Sequence, residues 1–107
     1  MINIFIQKTQ KKISKILISG HSFEGKKGNN IICAAVSAVV KMLVVGLQDI
    51  IKTKLTIIAE NEGEIEIELK ENILENEKAK VLFETFIKTI EWIDKKYKNN
   101  ITLKFIE

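Results

Sequence analysis

Short runs of alternating and branched apolar residues open the chain. Residues 2–7 and 13–19 are rich in Ile and read as two strands, joined by Thr9-Gln10-Lys11-Lys12, which is short enough for a hairpin. Gly20 ends the second strand, and residues 21–29 (His-Ser-Phe-Glu-Gly-Lys-Lys-Gly-Asn) read as a polar loop without periodicity. A helix is predicted from Asn29 or Asn30, since Asn is a favoured N-cap, to about Asp49 or Lys52. Its apolar residues lie nearly all round (Ile31, Ile32, Val36, Val39, Val40, Leu43, Val44, Leu47, Ile50), the pattern of a helix buried on most sides. Residues 54–60 and 64–70 form a second hairpin around Asn61-Glu62-Gly63, with Ile65, Ile67 and Leu69 alternating with Glu64, Glu66 and Glu68. A second helix is predicted over 76–97, with Ala79, Leu82, Phe83, Phe86, Ile90, Ile93 and Tyr97 on one stripe, and a last strand over 101–106. Asn99-Asn100 can close that helix. The order is ββαββαβ, with neither repeat nor linker. The natural solution is one α+β domain over 1–107, a sheet with two helices packed on it.

Composition changes this picture little. At 107 residues, with 46% hydrophobic and 29% charged, the chain suits one modest core. The net charge of +3 is spread among 14 acidic residues, so no direct nucleic-acid binding is expected. The cluster Lys8, Lys11, Lys12, Lys15 reads as a solvated turn. A lone cysteine forms no internal disulfide, which fits a reducing cytoplasm. Ile31–Leu47 is the longest apolar stretch. Lys41 in its middle argues against a membrane span.

The inventory for nucleophilic catalysis is one Cys and one His. His21 follows a strand, and Cys33 falls in the first turn of the predicted central helix. There the free N–H groups and the helix dipole favour a thiolate, and a nearby imidazole can take and return its proton. The bland alternatives are a packed small hydrophobe for Cys33 and a solvated surface residue for His21. Two soft ligands do not complete a structural zinc site, and neither metal nor cofactor is expected. The period-two glutamates from Glu60 to Glu68 read as the wet face of a strand.

The segment from Gly20-His21 through Gly28-Asn29-Asn30-Ile31-Ile32-Cys33-Ala34-Ala35-Val36-Ser37-Ala38 resembles the signature of the ribosomal-processing cysteine protease (Prp) family. That signature is a Gly-His pair, a short glycine-containing loop and a Cys-Ala-(Ala/Gly)-x-Ser-Ala run. The resemblance implies a catalytic dyad of Cys33 and His21. It also implies a substrate-binding loop carrying Phe23, Gly25 and Gly28, and a homodimer. The implied substrate is the precursor of ribosomal large-subunit protein twenty-seven, cut to remove its N-terminal extension. Asn30 stands where the family usually has Asp, which keeps a helix cap but loses a negative charge. Ser37 matches the family serine, one turn after Cys33 and on the same helix face. The competing classes are a non-catalytic ribosome-associated binding module and a purely structural dimer. The apolar first helix and the off-stripe Val81, Ile87 and Trp92 give independent reason to expect a homodimer.

Overall fold

The computed structural model describes residues 2–20, 27–61, 64–97 and 100–107. Strands β1 (Ile2–Thr9) and β2 (Lys12–Ser19) form the first hairpin. Gln10 and Lys11 both take positive φ, 53° and 65°, as a two-residue turn matched to strand twist requires. Helix α1 (Lys27–Val45) continues through one wider turn, Gly46–Ile50. Lys52, at φ 64°, ends it, and the Thr53 N–H returns to the Leu47 carbonyl at 2.7 Å. Strands β3 (Leu55–Asn61) and β4 (Glu64–Leu69) follow, then helix α2 (Glu77–Lys96) and strand β5 (Ile101–Ile106).

The five strands lie in the order β3-β4-β2-β1-β5. Neighbours are antiparallel except β1 and β5, which run parallel with Ile2 opposite Ile101. Each helix is a crossover between strands that are not neighbours, so both pack on the sheet rather than extend it. Alternate residues Ile2, Ile4, Ile6, Ile16, Ile18 and Ile67 enter the core from the sheet. Phe83, Phe86, Ile90 and Ile93 meet them from α2, and Val36, Val40, Leu43 and Leu47 from α1. The helices touch closely where Gly46 has no side chain: a Cβ there would overlap the Leu82 Cδ2.

Two expectations need correction. First, α1 starts at Lys27, before Asn29 and Asn30. Asn and Gly are only weakly disfavoured inside a helix, and no proline blocks another turn. The loop expected over 21–29 therefore ends before Lys27, and its residues 21–26 lie outside the described residues. Second, α1 is not buried on most sides within one chain. Ile31 is 58% exposed, Met42 46% and Val45 37%, on one stripe facing away from the sheet. Ile31–Ile50 is long and apolar enough to cross a membrane by length and composition, with a third of that window buried against the domain.

Candidate active site

α1 carries the one described nucleophile. Ile32 and Val36 are buried and hold the helix on the core, while Ile31 and Ala34 face outward. Cys33 lies between these faces and is half-buried. Ser37 is one turn further on and exposed, with its side chain hydrogen-bonded to that of Cys33. Burial pushes the Cys33 thiol up from its ordinary value, and the Ser37 hydroxyl, by donating to sulfur, pulls it part of the way back.

The structure places Cys33 further along its helix than the sequence reading expects. With the helix beginning at Lys27, Cys33 is its seventh residue and sits in the second turn. The unpaired N–H groups belong to Lys27 through Asn30, and the dipole acts mainly over that first turn. Cys33 lies beyond that first turn, and burial sets the upward direction of its thiol. Activation of Cys33 therefore needs a base.

The other sequence-derived site residues divide in two. Asn30 and Gly28 belong to the first turn of α1, with backbone positions described. His21, Phe23 and Gly25 lie outside the described residues. Their segment is bracketed by Gly20, held at φ 81° after β2, and by Lys27 at the start of α1. The end of β2 is itself well placed: Ser19 pairs with Asn3 of β1 and with Glu64 of β4.

A pocket of about 100 Å³ opens beside Ser37, between α1 and the β3–β4 hairpin. Ser37, Val40, Lys41 and Val44 line one side, and Ile57 and Ile65 the other. Pattern reading did not single out these residues, because Ile57 and Ile65 look like any core-facing strand position. The glutamates behave as a wet strand face. Lys15 Nζ lies 3.4 Å from Glu66, and Lys70 Nζ 2.5 Å from Glu68. Of the basic cluster, Lys11 and Lys12 are exposed, and Lys8 covers the Phe105 ring at 5.2 Å.

The family described as cysteine protease Prp matches residues 1–102. The chain belongs to this family. Solved structures agree on the fold. The S. aureus ribosomal processing protease Prp, in complex with a substrate peptide, has a TM-score of 0.83 at 23% identity, over 98% of this chain and 99% of that one. The same S. aureus protease with a covalently linked product peptide gives 0.79 at 22%, with the same coverage. A Streptococcus mutans protein gives 0.80 at 26%, over 99% of this chain and 94% of that one. No curated protein matches the chain. Prp membership makes the single α+β domain the scaffold of a cysteine protease family, and Cys33 is its one cysteine.

Proposed function

We propose that this chain is a site-specific endopeptidase in which Cys33 is the nucleophile and His21 the general base. The observation that carries the reading is the pairing of Cys33 with Ser37 on α1, inside a chain that belongs to the Prp family. In this reading the His21 imidazole takes the thiol proton, and the thiolate attacks the scissile carbonyl. The tetrahedral intermediate collapses to a thioester, and the imidazolium protonates the departing amine. Water then attacks the thioester, gives a proton to the imidazole, and restores the thiol. Ser37 holds the sulfur and favours its anion. Asn30, in place of an acid, can orient an imidazole by hydrogen bonding without adding charge.

The substrate in this reading is the N-terminal extension of ribosomal large-subunit protein twenty-seven. The fold match to an S. aureus ribosomal processing protease that binds a substrate peptide supports it. The exposed stripe Ile31, Met42 and Val45 supports a homodimer, because apolar surface of that extent favours covering. The single cysteine supports a cytoplasmic location. The competing reading is a non-catalytic ribosome-associated binding module in which Cys33 only packs.

Cleavage of a synthetic peptide spanning the extension junction separates the two. The protease reading expects turnover that falls about 10²–10⁴-fold in His21→Ala, and a pH–rate limb from an imidazole that the variant lacks. An uncut peptide favours the binding module, and a His21→Ala variant that cuts as fast as the unaltered chain moves the base role to another group.

A further inference from the structure

We infer that the pocket between α1 and the β3–β4 hairpin is a specificity subsite that takes one branched aliphatic side chain of the peptide beside the scissile bond. The inference rests on the protease reading and adds a substrate preference to it. The pocket is continuous with the nucleophile: Ser37 lines it and is hydrogen-bonded to Cys33. Cys33, Ser37 and Lys41 follow one another at single-turn spacing along α1, so a peptide lying over the sulfur passes the pocket mouth.

The walls state the chemistry. Val40 and Val44 are buried, while Ile57 and Ile65 are only half-buried and present apolar surface to water. Among the described residues no carboxylate lines the pocket, and the one charge there is the exposed Lys41. Such a lining stabilises an apolar side chain and repels a cationic one. Its volume of about 100 Å³ decides the size. A cavity of roughly 150 Å³ holds benzene, so this pocket suits a valine- or leucine-sized group better than an aromatic ring. Ile57 lies on β3, an edge strand of the described sheet, so the pocket wall is also the side from which an extended peptide can approach.

The test alkylates Cys33 with chloroacetamide and with its N-isobutyl and N-benzyl derivatives at about pH 8.5, where an ordinary thiol is half ionised. The ratio of each derivative's rate constant to that of chloroacetamide reports the pocket. We expect a ratio of about 10 for isobutyl, as burial of a leucine-sized group implies, and a smaller one for benzyl. Ile57→Phe, which fills the pocket, should bring the isobutyl ratio towards one. Ile58→Phe, at the exposed bulge position beside it and outside the pocket lining, should leave it alone. Ile57→Ala, which enlarges the pocket, should invert the preference towards benzyl, and it guards against a Phe variant that fails to fold. A wild-type isobutyl ratio within about twofold of one overturns the inference, as does a ratio that survives Ile57→Phe. An intact isobutyl ratio in a protein that leaves the junction peptide uncut overturns the protease reading instead and leaves the pocket standing.

Discussion

The two helices are almost equal in length, 19 residues in α1 and 20 in α2, yet they are built differently. Folding accounts for most residues of α2, with Val81 (63% exposed) and Trp92 (59%) as the exceptions. The Asn76 side chain caps its start by accepting from the Ala79 N–H at 3.0 Å. Glu77 lies in its first turn and Lys95 and Lys96 in its last, each opposing the helix dipole favourably. Its apolar residues Ala79, Phe83, Phe86, Ile90 and Ile93 form one buried stripe. Thr85 and Thr89 on the outer side satisfy their hydroxyls on carbonyls four residues back. α1 has no acid in its first turn and no base in its last, and it leaves Ile31, Met42 and Val45 in water. Exposed apolar residues lie on both helices, but the capped ends and single buried stripe belong to α2 and Cys33 to α1. The comparison assigns α2 to stability and α1 to chemistry, with apolar surface for association on both.

The largest effect should come from α2. Phe86 is fully buried against the sheet, and Phe86→Ala should cost about 3–5 kcal/mol, read as a lowered denaturation midpoint. A loss under about 1 kcal/mol would mean that α2 is not the scaffold. Met42→Glu probes the outer face of α1, where a charge should change the unfolding free energy of the isolated chain by no more than about 0.5 kcal/mol. It should nevertheless shift sedimentation from dimer to monomer. A variant that remains dimeric removes this face from the interface.

The smallest effect concerns the thiol. Ser37 donates to the Cys33 sulfur and so favours the anion, whereas burial favours the neutral form. Removing the hydroxyl in Ser37→Ala leaves burial unopposed, so the thiol pKa should rise further. The pH profile of Cys33 alkylation should move to higher pH, and the rate at a fixed neutral pH should fall. A profile that moves to lower pH would show that Ser37 does not stabilise the thiolate.

The same contrast explains what could be read from the chain. Strand β5 occupies 101–106, and α2 lies within one residue of its expected ends, since the period-3.6 pattern starts after the Asn76 cap and stops at Tyr97, whose carbonyl accepts from the Asn100 side chain. The first hairpin turns at Gln10-Lys11 inside the expected connection, and β3 and β4 pair antiparallel as expected. The parallel pairing of β1 with β5 is not local and leaves no mark in either segment. Lys27-Gly28-Asn29-Asn30 expresses little preference, so the first turn of α1 leaves only a weak mark in the sequence. The all-round apolar pattern of α1 was mistaken for burial, since sequence does not distinguish a core face from an exposed one. Cys33 stood out because it is the only cysteine. The pocket beside it did not, since Ile57 and Ile65 meet Val40 and Val44 only in the folded chain.

The central claim is that α1 exists to present Cys33 to a peptide. Cys33→Ala tests it most directly, because Ala is a good helix former and the half-buried site tolerates a smaller group. The measurement is mass-spectrometric cleavage of the extension-junction peptide, made beside thermal denaturation of the same sample. The expected result is loss of all detectable turnover with a denaturation midpoint close to that of the unaltered chain. Turnover near that of the unaltered chain would contradict the claim and leave Cys33 as a packing residue.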